Sequence, residues 1–229
     1  MNPQETRIID GYPFIAYQHD TFQEKEMLHR SESFLYWMNR RRTVRDFSAK
    51  SFPREIIDNL ILTASTAPSG AHKQPWTFCV VSDVDTKKQI RIEAEKEEYD
   101  SYHGRMSDDW LQDLKPLQTD WQKPFLETAP YLIIVFKKAY DLLPDGTKRN
   151  NYYVTESVGL ACGFLLAAIH HAGLVALTHT PSPMNFLSKI LNRPENERPF
   201  LLIPVGYAAD ETFVPHIKRK PLGMVAEFY

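Results

Sequence analysis

The sequence predicts an α/β fold in which helices flank one mixed β-sheet. Four short apolar runs have the length of buried strands, and each is bounded by Pro, Gly or polar residues. Segments with helical spacing of apolar residues separate these runs. The chain of 229 residues is long enough for one well-buried core and contains no repeat or linker, so we expect a single domain over residues 1–229.

The helical segments come first along the chain. After an N-terminal arm that we expect to be irregular, residues 22–41 have mostly helical spacing, and a second helix begins near Pro53, a residue suited to a first helical turn. A charged helix is predicted over residues 86–106. Residues 150–174 are apolar on nearly all sides, which is typical of a central helix enclosed by protein. The four predicted strands lie at residues 76–83, 130–138, 173–180 and 200–208.

Composition excludes several classes of protein. The net charge of −2 gives no general attraction to nucleic acid, and the two cysteines do not form the disulfide framework of a secreted chain. The longest apolar run has twelve residues, and the N-terminus lacks the pattern of a signal peptide. Rossmann, P-loop, nucleophile-elbow and metal-ligand motifs are missing from the sequence. We therefore expect a soluble cytoplasmic protein with no membrane segment, no nucleic acid and no metal.

An arginine cluster breaks this neutral pattern. Arg41, Arg42 and Arg45, together with Thr43, could hold one phosphate dianion, because guanidinium groups make planar bidentate contacts to phosphate. The same residues could instead form a solvated helix end whose cations complement the helix dipole. The cluster alone does not decide between these alternatives.

Two further segments could each be either a ligand-binding site or an ordinary loop or strand end. The stretch "APSGAHKQPW" (67–76) offers small residues and backbone amides that a flat ligand could approach, although it could equally be a simple loop. In "LTHTP" (177–181), strand alternation places Thr178 and Thr180 on one face and His179 on the other. A hydroxyl there could donate to a ring nitrogen, or the segment could be an ordinary strand end.

Taken together and in order, several segments resemble the iodotyrosine deiodinase branch of the flavin-dependent nitroreductase superfamily. They are "RRTVR" (41–45), "APSGAHKQPWTF" (67–78), "EEYDSYHGRM" (97–106), "TDWQKPFLETAP" (119–130), "LTHTP" (177–181) and "PVGY" with "IKRKPL" (204–222). The likeness covers nearly the whole chain from about residue 35. It implies a nitroreductase-like fold that forms a domain-swapped homodimer with an extended C-terminal arm at residues 208–229.

The resemblance implies FMN as the cofactor. Two positions would contact the flavin from the other subunit, and Thr178 would donate a hydrogen bond to the flavin N5, which favours electron transfer in single steps. The residues that match family positions for cofactor binding are Arg41, Arg42, Thr43, Arg45 and Arg219, then Pro68 and Ser69 from the other subunit, and Thr178, His179 and Thr180. Vertebrate members have threonine where this chain has His179, so the role of that position stays open.

The resemblance also implies an amino-acid substrate. Glu98 would pair with the substrate ammonium, whereas Tyr102 and Lys123 would meet its carboxylate, and the Ala71 amide would contact the phenolate. Residues 95–125 would form a lid. The implied activity is reductive dehalogenation of halotyrosines, with NADPH or a partner reductase as the electron source.

Two other functions stay open at this point. One is a broad-specificity nitroreductase or quinone reductase that uses the same flavin site without the zwitterion clamp. The other is a non-catalytic protein that binds flavin or tyrosine.

Overall fold

The computed structural model describes residues 6–229, which divide into two units, one ending at Arg40 and one covering Arg41–Tyr229. The first unit contains a hairpin of β1 (Thr6–Ile9) and β2 (Tyr12–Ile15), followed by helix α1 (Glu24–Asn39). The prediction of an irregular N-terminal arm is therefore wrong at this hairpin. Its two-residue turn, Asp10 and Gly11, has positive φ at both positions, as the favoured hairpin turns require.

The second unit is built on a four-stranded antiparallel sheet in the order β3-β4-β8-β7. The strands are β3 (Trp76–Val81), β4 (Tyr131–Lys138), β7 (Val175–Ala176) and β8 (Glu197–Gly206). A single parallel bridge, between Thr43 and Ala176, adds the segment after the arginine cluster to the sheet edge. The α/β class expected from the sequence is confirmed, and within residues 6–229 the parallel component of the sheet is limited to that bridge.

The third predicted strand is much shorter than its apolar run. Only Val175 and Ala176 form the β7 ladder, and the chain then meets β8 again at one bridge between His179 and Leu202. The His179 N–H donates to Leu202 O at 2.8 Å and the Leu202 N–H donates to His179 O at 3.0 Å. These two bonds fix the backbone of the "THT" stretch at the end of the sheet.

Helices lie on both faces of the sheet. They are α2 (Arg54–Ser65), α3 (Val84–Asp100), α4 (Asp108–Leu114), α5 (Phe125–Thr128), α6 (Val154–His171) and α7 (Asn185–Ile190). Along β4, Ile133 and Val135 belong to one core cluster with α2 and α6, whereas Leu132, Ile134 and Phe136 belong to a second cluster with α3, α5 and α7. This alternation follows from the two-residue period of a strand.

Helix α6 is less enclosed than its composition predicts. Six of its residues, among them Val158, Leu165 and Ile169, are buried, but Gly159, Leu160, Gly163 and Phe164 form an exposed stripe. The prediction of a helix enclosed on every side is therefore wrong within one chain. Its length and hydropathy would also suit a membrane span, but its buried face packs in the same core cluster as α2, as a core helix does.

A second hairpin and the chain end complete the fold. Strands β5 (Tyr140–Leu142) and β6 (Lys148–Asn150) pair in a mostly polar hairpin that was not predicted, because its strands have no apolar run. After β8 the chain contains one short 3-10 turn, Leu222–Met224, and is otherwise irregular and largely exposed.

Candidate functional site

Three guanidinium groups converge where the C-terminal segment crosses the arginine cluster. Arg42 Nη2 donates to Pro215 O, and Arg219 Nη2 donates to Arg41 O at 3.2 Å. Partial burial lowers the pKa of Arg41, and the charges of Arg219 and Arg42 lower it further. Like charges held together in this way favour binding of an anion, which relieves their repulsion.

The backbone around Thr43 and Arg45 is anchored on two sides. The Val44 N–H donates to Ala176 O at 3.3 Å, and the Ala209 N–H donates to Asp46 O at 2.9 Å. Val44 and Phe47 are buried, so the segment is fixed between β7 and the chain that follows β8. Arg45 acts on a different group from the other arginines, because its charge contributes to lowering the pKa of both Lys123 and His179.

The loop at Pro68–Ala71 has a tightly constrained backbone. Ala71 adopts φ 50° and ψ 31°, a left-handed conformation that is uncommon for alanine. Ser69 Oγ accepts the Gln74 N–H at 2.9 Å, and a Cβ at Gly70 would lie 2.9 Å from Tyr152 O. Pro68 and Ala71 are exposed, so small side chains and constrained backbone are presented at the surface beside the start of α6.

A buried ion pair forms the centre of the second group of predicted residues. Glu98 lies near the end of α3 with 9% of its surface exposed, and Lys123, just before α5, has 4% exposed. Their Oε2 and Nζ atoms are 3.3 Å apart. Burial raises the pKa of Glu98 and lowers the pKa of Lys123, and the ion pair opposes both shifts.

Neighbouring groups hold Lys123 and Tyr102 in place. The Lys123 ammonium also donates to the backbone oxygen of Asp120 and lies 3.4 Å from Thr119 Oγ1. Tyr102 OH donates to Thr119 O at 3.1 Å, and Lys123 Nζ is 5.4 Å from the centre of the Tyr102 ring. Thr119 was not among the predicted site residues, although its spacing of four residues from Lys123 was a signal for it.

Residues 101–124 connect α3 to α5 and carry most of these contacts. The segment contains a π turn at Ser101–Arg105, helix α4 and a 3-10 turn at Lys115–Leu117. It is tied to α3 by the Lys123 N–H, which donates to Glu95 Oε1 at 2.6 Å. The predicted lid, residues 95–125, thus begins within the last turns of α3.

The predicted alternation at the end of β7 agrees with the structure. Thr178 and Thr180 are exposed, whereas His179 is buried with 7% of its surface exposed. His179 Nδ1 lies 3.9 Å from Glu98 Oε1, and its ring meets Phe125 edge to face at 5.7 Å between centroids. The structure thus groups the His179 side chain with Glu98 and Lys123, apart from the two threonines predicted beside it as cofactor ligands.

Among residues 6–229, no three His, Cys, Asp or Glu side chains are grouped as the ligands of a metal ion would be. The two cysteines, Cys79 and Cys162, are free thiols. Burial raises the pKa of Cys162 to about 12 and also raises that of Cys79. Neither thiol has the lowered pKa of a reactive cysteine.

Comparison with known proteins places this geometry in a family. The Nitroreductase family profile matches residues 38–207. An iodotyrosine deiodinase of Haliscomenobacter hydrossis is 66% identical over 216 residues, covering 94% of this chain and 97% of the relative. Human iodotyrosine deiodinase 1 is 48% identical over 212 residues, covering 92% of this chain and 73% of the relative.

A crystal structure of oxidized iodotyrosine deiodinase bound to FMN and 3-iodo-L-tyrosine superimposes with a TM-score of 0.73 and 31% identity, covering 85% of this chain and 100% of that one. Sequence and structure therefore agree on the same group of proteins. This chain belongs to the nitroreductase family, within the group formed by the iodotyrosine deiodinases.

Proposed function

We propose that this protein is an FMN-dependent reductive dehalogenase that converts 3-iodotyrosine to tyrosine and iodide. The observation that carries the proposal is the buried Glu98–Lys123 pair beside Tyr102, in a chain that is 66% identical to an iodotyrosine deiodinase. Opposite charges 3.3 Å apart present an acceptor for an ammonium group next to a donor for a carboxylate. An amino-acid zwitterion has both of these groups.

The arginine cluster fits FMN. Arg41, Arg42 and Arg219 would hold its phosphate, because their convergence leaves positive charge that a phosphate dianion neutralises. Thr43 would assist them, and the exposed hydroxyls of Thr178 and Thr180 would hold the flavin ring. FMN, once reduced, supplies the two electrons for dehalogenation. The role of Arg45 in phosphate binding is less direct, since its charge acts on Lys123 and His179.

Substrate binding would exchange one ion pair for two. The ligand ammonium takes the place of Lys123 beside Glu98, and the released Lys123 ammonium joins Tyr102 OH at the ligand carboxylate. Because both residues are buried, each partner gained is worth more than it would be in water. The ends of residues 101–124 are joined through Thr119, so ligand binding would order this segment as a lid that excludes water.

The reaction balances as a two-electron reduction. The aryl carbon–iodine bond breaks, iodide leaves, and a carbon–hydrogen bond forms with the uptake of two electrons and one proton. The Ala71 amide would hold the phenolate oxygen, because the left-handed backbone at Ala71 presents this exposed turn at the surface. Thr178 would act as the catalytic hydroxyl on the cofactor ring.

The site would be completed by a second copy of the chain. The exposed stripe of α6 (Gly159, Leu160, Gly163 and Phe164) is apolar, and Phe213 in the C-terminal arm is 87% exposed. Apolar surface of this kind is typical of a subunit interface. In the homodimer, Pro68 and Ser69 would contact the FMN held by the other subunit. We further propose a cytoplasmic location and an NAD(P)H-dependent reductase as the electron source, with free thiols supporting a reducing compartment.

The Glu98→Gln variant tests the proposal. We expect it to weaken 3-iodotyrosine binding by roughly a hundredfold, because a hydrogen-bonded charge is lost, while turnover of a nitroarene is retained. Glu93→Gln, which changes another carboxylate of α3, is the matched control. If Glu98→Gln left the affinity for 3-iodotyrosine unchanged, the alternative of a broad-specificity nitroreductase or quinone reductase would be favoured.

A further inference from the structure

The His179 side chain is buried beside Glu98, the residue proposed to bind the ligand ammonium. Its Nδ1 lies 3.9 Å from Glu98 Oε1, and its Nε2 is buried without a hydrogen-bond partner. The backbone N–H and C=O of His179 both bond to Leu202, so the imidazole is held at a fixed place on the edge of the sheet. Phe125 packs against the ring and limits its rotation.

Burial, together with nearby positive charges, keeps the imidazole neutral. Burial lowers the pKa of His179 to about 3, and the positive charges of Lys123 and Arg45 add to this effect. The charged groups around the ring come from three segments: Glu98 from α3, Lys123 from the segment just before α5, and Arg45 from the arginine cluster. Near neutral pH the ring therefore carries one proton, on either Nδ1 or Nε2.

The surroundings select between these two tautomers. A proton on Nε2 would leave a buried donor without an acceptor, whereas a proton on Nδ1 faces the Glu98 carboxylate. An unsatisfied buried donor is costly, and an N–H dipole directed at an anion is favourable. Both effects place the proton on Nδ1.

We propose that His179 is a positioning residue for Glu98: its Nδ1–H holds the carboxylate at Oε1, so that Oε2 is directed to the ammonium group of an amino-acid ligand. This inference rests on the proposed function. When a ligand carboxylate draws Lys123 away, the imidazole stays as the protein partner of Glu98. Because it is neutral, it stabilises the anion without competing with the ligand ammonium for it.

Paired variants separate this role from simple packing. The side-chain amide of His179→Asn can place an N–H where Nδ1 lies, whereas His179→Leu retains volume but has no donor. Binding to the oxidised FMN-loaded protein would be measured by calorimetry for 3-iodotyrosine and for its analogue lacking the amino group, 3-(3-iodo-4-hydroxyphenyl)propionate. These two ligands differ only at the group that Glu98 is proposed to bind.

We expect His179→Leu to weaken binding of 3-iodotyrosine roughly tenfold and to leave the analogue nearly unaffected, because the N–H dipole that faces the Glu98 carboxylate is lost. His179→Asn should restore most of the difference. Equal weakening of both ligands by His179→Leu, or no rescue by Asn, would overturn the positioning role. If the unaltered protein bound neither ligand, the proposed function itself would fail.

A second measurement uses the unaltered protein, so it does not depend on a variant that folds. Nitrogen-15 NMR of labelled histidine in the unaltered FMN-loaded protein reports which ring nitrogen carries the proton. The proposal predicts a neutral His179 with the proton on Nδ1 at pH 6. A proton on Nε2, or a doubly protonated ring at that pH, would overturn it.

Discussion

The two charged regions of this protein are built in opposite ways. Arg41, Arg42 and Arg219 bring like charges together at a partly exposed surface, so the cluster repels itself. Glu98 and Lys123 bring opposite charges together in a buried place and neutralise one another. The first region gains a counter-charge when it binds an anion, whereas the second must give up an internal ion pair to bind a ligand.

This difference determines what each region does for the folded chain. A self-repelling surface cluster contributes little to stability and much to cofactor affinity. Removing one member of a buried ion pair strongly destabilises the fold, because the remaining buried charge has no partner. Substitutions should therefore affect stability strongly at the buried pair and weakly at the arginines.

The largest effect on stability is expected for Lys123→Met. Glu98 would be left buried without its cation, and we expect a loss of about 3–5 kcal/mol in the free energy of unfolding, measured by urea denaturation at pH 7. The double variant Glu98→Gln/Lys123→Met should regain part of this loss, and Lys88→Met on the exposed side of α3 is the control. A loss below about 1 kcal/mol would remove the contrast between the two regions.

We expect His179 to make the stability of the folded chain depend on pH. Its pKa falls from 6.5 to about 3 on folding, so the unfolded chain binds the additional proton between these values. The free energy of unfolding should therefore decrease as the pH falls from 6.5 to 3, by up to about 1.4 kcal/mol per pH unit from this group.

The variant His179→Thr should lack this contribution. Urea denaturation of both proteins across the same pH range isolates the contribution of His179, because the two proteins contain the same carboxylates. The difference between the two free energies should shift in favour of the variant as the medium becomes more acidic. Parallel curves would show that His179 titrates normally in the folded chain.

Gly70→Ala should have an intermediate effect. The added Cβ would lie 2.9 Å from both Tyr152 O and Tyr153 Cδ2, and backbone cannot yield as the end of a side chain can. We expect a loss of about 1–3 kcal/mol, with weaker FMN binding because Pro68 and Ser69 shift. Gly159→Ala on the exposed stripe of α6, where a Cβ meets nothing within 4 Å of its own chain, is the control for the stability measurement.

Arg41→Gln should change stability least. We expect the free energy of unfolding of the FMN-free protein to stay within about 0.5 kcal/mol, because only self-repulsion is reduced. FMN affinity, measured by fluorescence titration, should fall roughly tenfold as a charged phosphate contact is lost. The exposed Arg198→Gln in β8 controls for net charge. Unchanged FMN affinity would refute the phosphate role.

Local sequence patterns predicted the core of the fold and missed its polar parts. The apolar runs gave β3, β4 and β8 because buried strands of this sheet are continuously apolar. The hairpin of β5 and β6 was missed because its strands have no apolar run, although its turn contains the pair Asp145-Gly146. The N-terminal hairpin has the same kind of turn pair at Asp10-Gly11, and neither pair entered the prediction.

The site was predictable only in part from spacing. The separation of four residues between Glu98 and Tyr102 is that of one helical face, but Tyr102 lies in a π turn beyond α3. Lys123 is distant in sequence, so only the family resemblance could join it to Glu98. Strand alternation predicted that His179 faces away from Thr178, but what it faces depends on how α3 and α5 pack against the sheet.

One anaerobic titration tests the proposed dehalogenation most directly. The FMN-loaded protein, reduced with dithionite and freed of excess reductant, would be mixed with 3-iodotyrosine while flavin absorbance and released iodide are recorded. We predict that one iodide and one tyrosine form for each reduced FMN that returns to the oxidised spectrum. If the flavin stayed reduced and no iodide appeared although the ligand was bound, the protein would be a binding protein and the proposed reaction would be wrong.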